Sequence, residues 1–229
     1  MALDRRTFVA LCATAAFGGL AACSTDSTTD AGFDRPRDDD GGDADTPREI
    51  RSVVVLGDSI SRATADEYAA AFAANGIPEV RVEAEVGRRI EVGNGKGSAP
   101  LSGIRTLFGL LAESVSPDAW VIELGTNDIG SYATPDAYGE LIDQILGMLP
   151  VEVPLVWVNC YRPQYLDHTN MFNMVLQQRI NDRPNAVVTD WFTAASAPDQ
   201  NVLRSDDLHP NDFGSTVLAL LVAQSLLSV

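Results

Sequence analysis

A chain of 229 residues has room for one globular domain beyond whatever its N-terminus spends on targeting. Its 32 acidic against 16 basic residues leave a formal net charge of −16, which argues against a nucleic-acid partner held on a basic face. Three cysteines and two histidines, none grouped at metal-ligand spacing, give no basis for a zinc site or a disulfide framework. No metal and no cofactor are expected.

The first 22 residues have the form of a signal peptide. Arg5 and Arg6 precede the apolar, small-residue stretch from Phe8 to Ala22, which is short for a membrane-spanning helix. The paired arginines resemble a twin-arginine export signal, and Leu20-Ala21-Ala22-Cys23 resembles a bacterial lipobox. That resemblance implies that Cys23 becomes the lipidated first residue of an exported chain. The lipid alone would hold the protein on the extracytoplasmic face of the cell membrane. The alternative is an ordinary cleaved signal with an incidental cysteine. Residues 24–49 carry eight Asp, one Glu and three Arg, with Phe33 the only large apolar side chain. Such a stretch cannot offset the entropy of ordering, so 23–50 is expected to be a lipidated cysteine with a disordered acidic linker. With +1 in the leader and −6 in residues 24–49, the remaining −11 falls on residues 50–229. A single folded domain is expected over 51–229.

From Arg51 onward, apolar runs and helical stripes alternate. Ser52–Leu56 predicts a strand buried on both faces, and 64–75 predicts a helix with Tyr68, Ala71 and Phe72 inward. The alternation in Glu79–Val86 predicts a strand with Val80, Val82, Ala84 and Val86 on one side. Ile104, Leu107, Leu110 and Leu111 mark a helix, Ala119–Leu124 a strand and Pro135–Leu149 a helix. Leu155–Asn159 predicts a strand, and Phe172, Val175, Leu176 and Ile180 a helical stripe. Ala186–Thr189 is the last strand and Phe213–Leu227 the closing helix. Strands spaced by helices predict a parallel sheet covered on both faces, with ligands bound beyond the carboxyl ends of the strands. Ser59, Gly87, Asn127 and Asn159 follow or end strands and fall along that edge.

Gly57-Asp58-Ser59 at the tip of the first strand is either a capped strand-to-helix turn or a nucleophile. A serine attacks only if a base takes its proton and donors receive the charge it creates. His209, in Ser205-Asp206-Asp207-Leu208-His209, is the better base, with Asp206 three residues ahead to orient it. Asp207, two residues ahead, is the lesser candidate. His168 is expected in a loop after Pro163, as a solvated or substrate-rim residue. The Ser59 N–H, the Gly87 N–H and the Asn127 side-chain amide are the candidate donors to an oxyanion, although a turn glycine and an Asx-turn asparagine would look the same in isolation. Cys160 ends an apolar strand and is expected as a small core or rim residue.

Gly57-Asp58-Ser59, Gly87, Gly125-Thr126-Asn127-Asp128 and Asp206-x-x-His209 resemble, in order, the four blocks of the SGNH (GDSL-like) hydrolases. The resemblance covers about 51–227. It implies a flavodoxin-like three-layer α/β sandwich around a central parallel sheet. It also implies ester chemistry with Ser59 as nucleophile, Asp206 and His209 completing a triad, and Ser59, Gly87 and Asn127 forming an oxyanion hole. Gly87-Arg88, Asn159–Pro163, Asn173 and Asp190-Trp191 look like the SGNH domains associated with O-acyltransferases. This sequence shows no multi-helix membrane domain to deliver an acyl group, which favours hydrolysis. The expected function is an extracytoplasmic serine esterase acting on a small acyl ester or an acylated carbohydrate, with Trp191 either a sugar-stacking wall or core packing. An O-acyltransferase, a lipase or lysophospholipase, and a non-catalytic glycan-binding protein are the alternatives.

Overall fold

A computed structural model of the protein describes residues 49–97 and 99–229. The expected signal peptide, Cys23 and the linker up to residue 48 lie outside the described residues.

The strands β1 (Ser52–Gly57), β2 (Glu79–Ala84), β3 (Ala119–Glu123), β4 (Leu155–Val158) and β5 (Ala186–Thr189) form one parallel sheet in the order β2-β1-β3-β4-β5. Helices α1 (Ser59–Ala63), α2 (Ala65–Ala74), α3 (Gly103–Ala112), α4 (Pro135–Leu146), α5 (Leu166–Asn181), α6 (Trp191–Ser196) and α7 (Asp212–Leu226) connect and cover it. Val54, Leu56, Trp120 and Ile122 point to the face packed by α3, α4 and α5. Val53, Val55 and Val121 point to the opposite face, against α2, α6 and α7. The result is a three-layer α/β sandwich. Burial on both faces explains why β1, β3 and β4 are unbroken apolar runs, while the edge strand β2 alternates with Arg81 and Glu83 among its residues.

Side-chain caps set where the longer helices begin. Ser102, Thr134 and Asn211 each accept from the backbone N–H three residues on, opening α3, α4 and α7. Several boundaries and two elements differ from the sequence expectation. β2 ends at Ala84, where the edge chain turns away; Val86 is 61% exposed instead of facing inward. A separate five-residue helix, α1, precedes α2, and α6 is an added element. His168 lies in the first turn of α5 and not in a loop, because a 3-10 turn at Pro163–Tyr165 runs directly into that helix.

This strand order reverses between β1 and β3, which opens a crevice at their carboxyl ends. Gly57 is in register with Glu123, so the segments that follow both strands emerge side by side. At Gly57 a Cβ would lie 1.7 Å from the Ser61 Oγ, so only glycine lets α1 fold back onto the strand end.

Candidate active site

Ser59 opens α1 at the head of that crevice. Asp58 caps the helix by accepting the Ile60 N–H at 2.9 Å, which leaves the Ser59 N–H without an intrahelical partner. The Ser59 Oγ is 2.9 Å from His209 Nε2, and His209 Nδ1 is 2.8 Å from Asp206 Oδ2. Asp206 Oδ1 accepts the backbone N–H groups of Leu208 and His209, at 3.0 and 2.9 Å. The His209 backbone N–H, followed by its imidazole, pulls the Asp206 carboxyl down to about 2. Asp206 is therefore a pure acceptor near neutral pH. His209 must donate from Nδ1, and its bare Nε2 faces the serine hydroxyl. The loop is braced from the other side: Arg204 donates its backbone N–H to the His209 carbonyl at 2.8 Å and its Nε to the Pro210 carbonyl at 2.9 Å. Asp207 sits at a left-handed φ of 55° and makes no hydrogen bond to His209.

On the other side of Ser59, the Asn127 amide donates to Asp58 Oδ2 at 2.8 Å and to the Arg88 carbonyl at 3.1 Å. Gly87 has a φ of +75°, a region L side chains rarely adopt, and no atom lies within 4 Å of where its Cβ would be. Its segment is stitched to the end of β1. The Glu85 N–H and Arg88 Nη1 both donate to the Gly57 carbonyl, at 3.4 and 3.1 Å. The structure thus joins Ser59, His209 and Asp206 in one hydrogen-bonded chain, and ties Asn127 and Gly87 to the residues flanking the nucleophile.

Three buried acids underlie this crevice, with roles that no sequence motif signals. Asp58 is fully buried, and desolvation lifts its carboxyl to about 7 against the pull of the Ile60 N–H. Glu123 ends β3 with its Oε2 accepting from the hydroxyls of Ser61 and Tyr68, while Oε1 has no partner. Burial raises Glu123 to about 8, so it is largely a neutral acid at pH 7. Asp128 holds the Arg89 Nε at 3.1 Å and the Ile90 N–H at 3.0 Å, fixing the chain that leaves Gly87. A signal existed for Glu123: an acid closing the apolar run Ala119–Ile122 has no solvent to face.

Other candidates take structural parts. Trp191 is 1% exposed and packs in the core on the α7 side of the sheet, so it is not a sugar-stacking wall. Asn159 accepts the Phe192 N–H at 2.6 Å and donates to Asp190 at 3.0 Å, tying the end of β4 to α6. Asn173 holds both the N–H and the carbonyl of Cys160, at 2.9 and 2.8 Å. Cys160 is buried and its thiol is pushed far up by desolvation, which makes it an inert core residue. His168 Nδ1 lies 3.3 Å from the Tyr138 hydroxyl, apart from the Ser59–His209–Asp206 chain. Among the described residues, no group of three or more His, Cys, Asp or Glu is placed to hold a metal ion.

Residues 55–217 match the GDSL-like Lipase/Acylhydrolase family. No curated protein matches the chain. Among solved structures, the chain is similar to a lipase/acylhydrolase from Enterococcus faecalis, with a TM-score of 0.63 and 23% identity over 77% of this chain and 95% of that one. It is similar to the C-terminal catalytic domain of Streptococcus pneumoniae peptidoglycan O-acetyltransferase A, with a TM-score of 0.58 and 16% identity over 78% and 92%. A family 3 carbohydrate esterase from Clostridium thermocellum is similar as well, with a TM-score of 0.58 and 15% identity over 79% and 96%. With most of its length matched and a serine–histidine–aspartate chain at the switch point of its sheet, the protein belongs to the GDSL-like lipase/acylhydrolase family and is a serine ester hydrolase.

Proposed function

We propose that the protein is an extracytoplasmic esterase that removes acetyl or another short acyl group from a carbohydrate through an acyl-Ser59 intermediate. The observation that carries the chemistry is the unbroken chain from Ser59 through His209 to Asp206. His209 Nε2 takes the hydroxyl proton as Oγ attacks the ester carbonyl, and the oxyanion receives the N–H groups of Ser59 and Gly87 and the Asn127 amide. The intermediate collapses with expulsion of the alcohol, which takes the proton from His209. Water then attacks the acyl-serine, giving its proton to His209, and the acid leaves as His209 returns that proton to the Ser59 oxygen.

A groove of about 620 Å³ runs along the loop that carries His209; Ser59 and His209 do not line it, so it offers room for the distal part of a carbohydrate leaving alcohol. Its lining includes Tyr161, Pro163, Ala195, Arg204, Ser205 and Asp207. An aromatic ring with a guanidinium and a carboxylate nearby offers a stacking surface and partners for hydroxyls, at a volume in the range of small-molecule sites. Similarity to a carbohydrate esterase and to the catalytic domain of a peptidoglycan O-acetyltransferase points the same way.

The test is product analysis with an acetylated oligosaccharide and an unacetylated acceptor sugar. Free acetate is expected; acetylated acceptor would make the protein a transferase, and no turnover would remove the carbohydrate reading. Tyr161→Ala should raise KM for the oligosaccharide about tenfold, as a lost stacking contact of about 1.5 kcal/mol would. It should leave 4-nitrophenyl acetate hydrolysis unchanged. Equal effects on both substrates would place the alcohol elsewhere.

We also infer export and a lipid anchor, supported by Leu20-Ala21-Ala22-Cys23 after a short apolar stretch. Cys23→Ala should move the protein out of the membrane fraction of its host. Unchanged partitioning would refute the anchor.

A further inference from the structure

We propose that Arg88 is a positioning residue that holds the oxyanion-binding donors in register with Ser59; this rests on the reading of Gly87 and Asn127 as those donors. Arg88 is only 3% exposed, yet none of the ion pairs among the described residues involves it. Its guanidinium is spent on backbone carbonyls. Nη1 donates to Gly57 at 3.1 Å and to Glu83, and Nε donates to Leu101 at 3.2 Å.

Those carbonyls come from separate stretches of chain. Gly57 ends β1 two residues before the nucleophile, Glu83 lies near the end of β2, and Leu101 lies just before α3. Burying a cation without a contacting carboxylate opposes folding, and desolvation lowers the pKa of this guanidinium. What the arrangement gains is geometry. The backbone of Arg88 belongs to the same segment as the Gly87 N–H, so anchoring its side chain beneath Gly57 fixes that N–H relative to Ser59.

The Arg88 carbonyl performs a second task. It accepts one hydrogen of the Asn127 amide at 3.1 Å, while Asp58 Oδ2 accepts at 2.8 Å. Both amide hydrogens are therefore engaged in the resting site. Asp58 and Arg88 hold the amide in the plane between them, and the longer bond, to Arg88, is the one an oxyanion would displace. Movement of the Arg88 backbone would misplace two donors together. Errors near 1 Å in such donors are costly because they serve charge that exists only in the transition state.

The test uses Arg88→Lys and Arg88→Ala with a small chromogenic acetate ester. Lysine keeps the cation, but its three donors sit on one nitrogen and cannot reproduce the spread of Nη1 and Nε over the Gly57, Glu83 and Leu101 carbonyls. Its kcat should fall about tenfold to a hundredfold with KM within about twofold, since charge stabilisation and not ester binding is lost. Millimolar guanidinium should restore a large part of the kcat of folded Arg88→Ala. The pH profile of Arg88→Lys should match the wild type, because the charge that Asp58 feels from this position is kept and the His209–Asp206 pair is untouched. Wild-type kcat in Arg88→Lys, a loss confined to KM, or a loss that follows the melting temperature without rescue would each overturn the proposal. Asn127→Ala separates it from its premise. If Asn127→Ala keeps wild-type kcat, the donor reading itself is wrong. If Asn127→Ala loses about a hundredfold in kcat while Arg88→Lys loses nothing, the donors stand and Arg88 does not position them.

Discussion

Ser59→Ala is expected to abolish hydrolysis of a small chromogenic acetate ester, by about a millionfold in kcat, while leaving the fold intact. On the proposed mechanism the hydroxyl makes the covalent bond to the acyl group, and among the described residues no other serine or cysteine is placed to replace it. Ser61 is buried with its hydroxyl committed to Glu123, and Cys160 is buried with its thiol proton held tightly. The fold should survive because the Ser59 side chain is only half-buried and its hydroxyl bonds to His209 at the open edge of the sheet. Losing that bond costs about 1 kcal/mol, and no cavity opens in the core. Purified Ser59→Ala should therefore melt close to the wild type and give no acyl-enzyme by mass spectrometry. Turnover at the wild-type rate would show that the nucleophile lies elsewhere.

The strand ends were legible in the sequence because a parallel sheet covered on both faces demands continuous apolar runs. Val53–Leu56 and Ala119–Ile122 satisfy that demand, and the glycine, serine and asparagine that follow had to lie at the ligand edge. The Asp206–His209 pair was legible because its geometry is local: three residues suffice to bring the carboxylate onto Nδ1. What escaped is what depends on distance along the chain. Asp58 meets Asn127 across 69 residues only because β1 lies beside β3 in register, and strand order is not written in either motif. The role of Arg88 was equally hidden, since an arginine after an exposed glycine has every appearance of a solvated turn. Trp191 was open between a stacking wall and core packing, and the second holds: Asp190 caps α6, and the indole lies in the core. The helical place of His168 was hidden for a local reason: Pro163 opens a 3-10 turn that runs into α5, and proline is as much at home there as in a loop.

Asp206→Asn is expected to lower kcat by about ten-thousandfold. The effect follows from how the loop uses the two carboxylate oxygens. Oδ1 accepts the backbone N–H groups of Leu208 and His209, so an asparagine must keep its carbonyl oxygen there. Its NH2 group then faces His209 Nδ1 and donates to it. The imidazole proton is driven to Nε2, which can no longer accept from Ser59. The Asp206 carboxyl, held down at about 2, stays ionised across the working pH range, so in the wild type it accepts from Nδ1 throughout. Asp207→Asn is the control. Asparagine tolerates the left-handed φ of 55° at that position, and the Asp207 side chain makes no hydrogen bond to the imidazole, so rate and profile should match the wild type. A pH–rate profile of the three proteins on one soluble ester decides the matter. A larger loss in Asp207→Asn would make the neighbouring aspartate the orienting acid, and an unchanged profile in both variants would reduce the triad to a Ser59–His209 dyad.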